Sequence, residues 1–353
     1  MNGKIKRPRK KYMDYQALPK IELHRHLEGN FSPRVLYYMA QKNYLNFPRD
    51  YEEFKAKLQF PKDSPPDFFL FLSKFYNTWY KSLDDVYEVV YTSMQEMALD
   101  DNLVYLELRF NPIHYAIHCG FDPVDSLNTV LSALRKAVGE RGIFVRYLIT
   151  FNRGFQKQEE MKELLIRFQK EVDLADVVGL DLAGDEVNFP PELFTDFFQY
   201  AHAQGFKSTI HAGEISDPEQ IRCAVMNNQA LRIGHGVSLI QDPSLLQQMK
   251  DKEVTFEMCP ISNYQTGAWA DTPNHPIKSL LREGLKVTLN SDDPTVQNSE
   301  LYDEYKVAHK KMGLTLDELA RLNHHSINGC FLSDQEKQKL RQDFDAEWKK
   351  AVQ

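Results

Sequence analysis

Four short stretches of this chain end in residues that a packed core would not choose. They are His24-Arg25-His26, His211-Ala212-Gly213-Glu214, Gly234-His235-Gly236 and Ser291-Asp292-Asp293-Pro294. On an extended strand the side chains alternate with a period of two, so His24 and His26 point the same way and can reach one cation. With His211 and Asp292 they make three imidazoles and a carboxylate, a borderline-hard donor set that suits Zn2+ and leaves room for water. The set contains no cysteine, which argues against a closed structural site. Its chemistry is hydrolytic: a divalent ion in such a set lowers the pKa of a bound water toward ~7. Glu214, three residues after His211, is a candidate general acid or proton shuttle. His235 lies between two glycines, whose backbone freedom gives a ligand close access. Asp292 and Asp293 are adjacent, so their side chains diverge, and one can meet a metal while the other meets a substrate. Taken singly, each fragment has a plainer explanation as a satisfied core histidine, a surface glutamate or an Asp-Pro turn. Occurring together at four strand ends, they point to one site.

The elements that would carry them are short apolar, β-branched runs between longer amphipathic segments. Eight runs predict strands: Ile21–His26, Leu103–Phe110, Ile143–Phe151, Val177–Ala183, Ser208–His211, Leu231–His235, Val254–Cys259 and Leu285–Asn290. Helical periodicity fills stretches such as Glu159–Val172, Pro191–Gln204 and Pro218–Asn228. Strands alternating with helices predict βαβ units and a parallel sheet. Eight units predict an α/β fold closed as a single (β/α)8 TIM barrel, with its active site where the strands end. No GxGxxG follows the first strand, so the signature of an open dinucleotide-binding sheet is missing.

The connection from the first strand to the second is long and holds Pro48, Pro61, Pro65 and Pro66. After these prolines Asp67 can cap a helix whose apolar positions Phe68, Phe71, Leu72, Phe75 and Trp79 follow the i, i+3, i+4, i+7 pattern. That stripe reads either as a helix packed on the barrel or as a hydrophobic lid over its mouth. The expected organisation is a basic N-terminal arm over 1–14 and one catalytic barrel over 15–353, with a helical insert at about 45–100.

Composition narrows the function classes. The chain has 353 residues, with 43 Lys+Arg against 50 Asp+Glu, a formal charge of −7. This acidic balance argues against a protein that grips nucleic acid through phosphates. The one dense basic run, KIKRPRKK at 4–11, reads as a solvated arm. Cys119, Cys223, Cys259 and Cys330 are widely spaced, which fits buried thiols in a reducing compartment. With no signal-like segment and no long uncharged apolar run, the reading is a cytoplasmic protein with no membrane or nucleic-acid partner.

The segments HRHLEGN (24–30), DLAGDE (181–186), HAGE (211–214), RIGHG (232–236), CPISNYQTGAW (259–269), NSDDP (290–294) and FLSDQEKQKL (331–340) resemble those of adenosine deaminases, in the family's order. The resemblance runs from Leu18 to about Lys339. It implies that one Zn2+ is held by His24, His26, His211 and Asp292, with His26 also facing the substrate and Asp292 counted among the catalytic residues. It further implies that Glu214 protonates N1 of the purine and that His235 orients the attacking water and accepts or stabilises its proton. Asp293 would hydrogen-bond N7, the backbone N–H of Gly184 would meet N3, and Phe71, Leu72 and Phe75 would form a flap over the ribose. The implied activity is hydrolytic deamination of adenosine and 2′-deoxyadenosine to inosine and 2′-deoxyinosine plus ammonia, in purine salvage. The partner is then a small purine nucleoside, and the protein a monomer or weak oligomer.

One position departs: Glu28 stands where members that use adenosine carry aspartate. This keeps open a 5′-modified adenosine (aminodeoxyfutalosine, methylthioadenosine) or free adenine as substrate. A two-metal amidohydrolase is disfavoured because no lysine ends the fourth or fifth strand. A non-enzymatic scaffold is disfavoured because the ligand set and Glu214 are all present.

Overall fold

The computed structural model describes residues 13–62, 64–97 and 101–353, so nearly all of the expected basic arm lies outside the described residues. Eight strands form one sheet in the order of the sequence. They are β1 Lys20–His26, β2 Leu103–Phe110, β3 Val145–Arg153, β4 Val177–Gly184, β5 Ser208–Ala212, β6 Arg232–His235, β7 Thr255–Met258 and β8 Lys286–Leu289. Every neighbouring pair is parallel. The sheet closes just beyond β8: the Asp292 N–H donates to the His24 carbonyl at 3.0 Å, and the His26 N–H donates to the Asp292 carbonyl at 2.9 Å. The Asn290 side chain adds a bond from the Leu23 N–H at 3.0 Å. The result is the TIM barrel that strand–helix alternation predicts.

Helix starts are set by a repeated device, a polar N-cap followed by proline, whose fixed φ suits the first helical position. Ser32, Asn111, Asp122, Asp217 and Asp242 each accept a backbone N–H from the first turn, and Pro33, Pro112, Pro123, Pro218 and Pro243 follow them. Each cap sits after a strand or loop, so the chain turns sharply and the strand ends stay near the barrel mouth. The Pro191–Gln204 segment opens instead with a 3-10 turn, Pro191–Phe194, before the helix Thr195–Ala203.

The barrel interior is charged where a simple apolar filling would be expected. Glu107 and Arg109 on β2, Asp181 on β4, Arg232 on β6 and Glu257 on β7 are all fully buried. Arg109 reaches Glu257 at 2.7 Å and Asp181 at 3.3 Å, while Arg232 reaches Glu107 at 2.6 Å and Glu257 at 2.5 Å. Buried charges persist only when paired and hydrogen-bonded, and here the pairing runs around the ring of strands.

The connection between β1 and β2 corrects one expectation. The helix after Asp67 spans only Phe68–Leu72. The Ser73 hydroxyl donates to the Leu70 carbonyl at 2.6 Å, competing with helix propagation, and the chain then leaves the helical path. Trp79 therefore does not share the helix face. It packs in the main core against Phe47 at 4.8 Å and Tyr76 at 5.9 Å, whereas Phe71 belongs to a small separate cluster with Phe60 and Val296. Longer helices, Pro33–Lys42, Tyr51–Leu58 and Leu83–Met97, also belong to the connection. The four cysteines are all free, and among the described residues no helix is long and apolar enough to cross a membrane.

Candidate active site

His24 and His26 leave β1 on the same side, as period two requires. His24 Nε2 lies 3.1 Å from Asp292 Oδ1, and His26 Nε2 lies 3.5 Å from the same oxygen and 3.2 Å from His211 Nε2. The donor atoms of His24, His26, His211 and Asp292 all lie within 4.8 Å of one another. The second nitrogens decide whether this cluster is a ligand set. His24 Nδ1 lies 2.9 Å from Glu257, and His211 Nδ1 lies 3.0 Å from Asp181. A carboxylate can only accept, so in both neutral rings the proton sits on Nδ1 and Nε2 keeps its lone pair. His24 Nε2 is buried without a hydrogen bond. Inward lone pairs, outward protons and a shared carboxylate oxygen fit one divalent metal ion.

Asp292 and His235 both carry positive φ, 65° and 60°, at the ends of the barrel strands. Non-glycine residues there are held by their surroundings, and such strain gathers at functional sites. Across the cavity stands Glu214, 8 % exposed. Burial, with the charges of Asp292 and Glu186 behind it, raises its pKa well above the usual carboxylate range. Burial thus favours its protonated form. Its Oε2 lies 3.7 Å from His235 Nε2. The loop after it is pinned by Glu186, which accepts the N–H groups of Ile215 and Ser216. Arg153 bonds the His211 carbonyl from the floor.

Asp293 diverges from Asp292 as expected, and its Oδ1 is buried without a partner. Gly29 makes room for it: a Cβ there would lie 1.7 Å from that oxygen. Gly184 has φ 98°, and a Cβ would lie 1.9 Å from Asn152 Oδ1, so the position demands glycine. Glu28 accepts the Asn111 N–H at 2.8 Å, and burial raises its pKa to about 7.

These residues line one cavity of about 300 Å3. His26, Glu28, Gly184, His211, Glu214, His235, Asp292 and Asp293 all face it, and Phe68, Phe71, Leu72 and Phe75 form its apolar wall. His24 lies outside the cavity lining, next to the other candidate ligands. Of the candidate site residues named from sequence, all but His24 line this cavity, and His24 joins them through the His/Asp cluster.

A model of the adenosine deaminase family matches residues 19–347. The chain belongs to that family. A curated adenosine deaminase from Aliivibrio fischeri is 34% identical over 338 residues, covering 94% of this chain and 98% of its own. Among solved structures, an adenine deaminase from Arthrobacter aurescens superposes with a TM-score of 0.85 at 27% identity, over 94% of this chain and 99% of that one. An N6-methyl-AMP deaminase from Arabidopsis thaliana superposes with a TM-score of 0.79 at 26% identity, over 94% and 97%.

Within this family site, sequence reasoning missed the residues that hold the histidines: Asp181, Glu257 and Arg109, which bridges the two carboxylates. The available signal was the alternation of Glu107 and Arg109 along an otherwise apolar β2, since same-face charges on a barrel strand must find partners inside. Asn263, whose side chain contacts His235 Nδ1 at 3.1 Å, lies within CPISNYQTGAW, where nothing in the local pattern sets it apart.

Proposed function

We propose that the chain catalyses zinc-dependent hydrolytic deamination of adenosine and 2′-deoxyadenosine to inosine and 2′-deoxyinosine. The observation that carries this reading is a buried Glu214 lining the same cavity as the His/Asp cluster. His24, His26, His211 and Asp292 would hold the ion, which when bound polarises water for attack. Glu214 donates a proton to the purine N1, which leaves C6 electron-poor and open to attack. His235, on the same wall, orients the oxygen nucleophile. The reaction balances as follows: water gives its oxygen to C6, one proton to N1 by way of Glu214, and the other to the departing amino nitrogen. Asp293, with its unpartnered Oδ1, meets N7, and the Gly184 N–H meets N3. The apolar wall of Phe71, Leu72 and Phe75 covers the sugar side as a lid. The protein is read as a monomer or weak oligomer of the cytoplasm, the compartment read from its four widely spaced cysteines.

Arg153 is the one cation among the described residues lining the cavity, and it is already bonded to the His211 carbonyl. That favours an uncharged nucleoside over a nucleotide, whose phosphate needs a cation. Free adenine is the second reading, favoured by Glu28 and by the likeness to an adenine deaminase. A panel of adenosine, 2′-deoxyadenosine, 5′-modified adenosines and adenine, followed by loss of the adenosine absorbance with and without chelator, tests both. Adenosine should have the highest kcat/KM. A ratio favouring adenine sinks the nucleoside reading and leaves the hydrolytic chemistry intact.

A further inference from the structure

Behind His235 two buried residues continue outward, and the reaction scheme above makes no use of them. At the outer end, the Ile277 backbone N–H points at His275 Nδ1, 3.2 Å away. A backbone amide can only donate, so His275 Nδ1 carries a lone pair. The ring is buried, which pushes its pKa down to about 3 and keeps it neutral, so its one proton sits on Nε2. That Nε2 lies 3.1 Å from Asn263 Oδ1, which must accept. The carbonyl end of Asn263 is thereby fixed toward His275 and its amide end toward His235, where Nδ2 lies 3.1 Å from Nδ1. An amide NH2 also can only donate. His235 Nδ1 is therefore an acceptor, and the ring proton lies on Nε2, the nitrogen facing Glu214 and the cavity.

We infer that Asn263 and His275 are positioning residues that lock His235 as its Nε2–H tautomer. His235 then enters the reaction as a hydrogen-bond donor to the oxygen nucleophile and not as the base that takes its proton. This deepens the proposed deamination and rests on it for its catalytic meaning. Its acid–base consequence falls on Glu214: having given its proton to N1, the Glu214 carboxylate is the group that takes the proton from water. Asn263 is fully buried, so neither end of its amide can turn to solvent instead.

The test is 15N spectroscopy of ring-labelled histidine in the zinc-loaded protein, with His235 assigned by comparison with His235→Gln. The expected parent spectrum shows His235 Nδ1 unprotonated and Nε2 protonated. In Asn263→Asp the new carboxylate can only accept, so Nδ1 takes up a proton and kcat falls at least ~10-fold while KM stays within ~3-fold. His275→Gln, whose amide NH2 can still donate to Asn263 Oδ1, should keep both the tautomer and kcat within ~3-fold of the parent. A protonated Nδ1 in the parent, or an unchanged His235 in Asn263→Asp, overturns the inference. If Asn263→Asp fails to fold, the parent spectrum alone decides. The expected tautomer in a protein inactive toward every purine of the panel would leave this assignment standing and remove the deaminase reading.

Discussion

Burial and the nearby carboxylates favour the protonated form of Glu214, and the acid role proposed for it depends on that proton. Glu214→Gln keeps the shape and can still donate a hydrogen bond to N1, yet cannot release a proton. Nucleoside binding measured by calorimetry should survive, while kcat falls by at least ~10². A variant with near-parental turnover would remove Glu214 from the acid role. Asp181 and Glu257 work one step back, by holding the Nδ1 protons of His211 and His24. Asp181→Asn weakens that hold, and metal affinity should fall roughly 10–100-fold in competition with a chelator. Unchanged affinity would mean that Asp181 serves only the charge balance of the barrel. Glu28 is the residue where the family pattern breaks. Glu28→Ala should raise KM for adenosine by the equivalent of about 1–3 kcal/mol, the cost of leaving a buried partner unpaired. An unchanged KM for adenosine would place Glu28 out of reach of the sugar.

At the scale of elements, the short helix Phe68–Leu72 and the segment reaching Trp79 looked continuous in sequence and are separate in space. The i, i+3, i+4, i+7 pattern records only that apolar residues recur. It cannot tell one helix face from two surfaces served by one turn of helix and an extended run. The two parts should fail differently. Trp79→Ala opens a hole in the main core and should cost about 3–5 kcal/mol in denaturant unfolding, with KM little changed. Leu72→Ala, on the half-buried cavity wall, should raise KM several-fold with the melting temperature nearly constant. The reverse pattern would return Trp79 to the lid. The strands were legible because they are brief apolar runs between amphipathic segments, and the candidate ligands were legible because they lie where some of those runs stop in polar residues. Asp181 and Glu257 were not, because their partners depend on register across several strands. No local pattern in Leu180–Ala183 or Thr255–Met258 states which histidine they meet.

Over the whole molecule, burial of charge gives stability a dependence on pH. Lys20, at the start of β1, donates to the carbonyls of Leu18 and Asp101, and burial lowers its pKa from 10.5 to about 8. Below pH 8 the folded state carries the cost of a buried ammonium. Between about pH 8 and 10.5 the unfolded chain binds the proton that the folded one has released, so stability rises with pH. Compared with Lys20→Met, the parent should gain up to about 3 kcal/mol across that window in urea titrations. Parallel curves would mean that Lys20 stays charged in the folded state. The closing seam has a consequence of another kind, one of timing. His24 and His26 come from the first strand, whereas Asp292 follows the last and is bonded to both through the backbone. A nascent chain can present the three histidines early, but the fourth donor arrives only after residue 292 is made and β8 has docked. A metal ion held by all four donors would thus load late in biosynthesis, and it would fasten the two edges of the sheet that synthesis separates most widely.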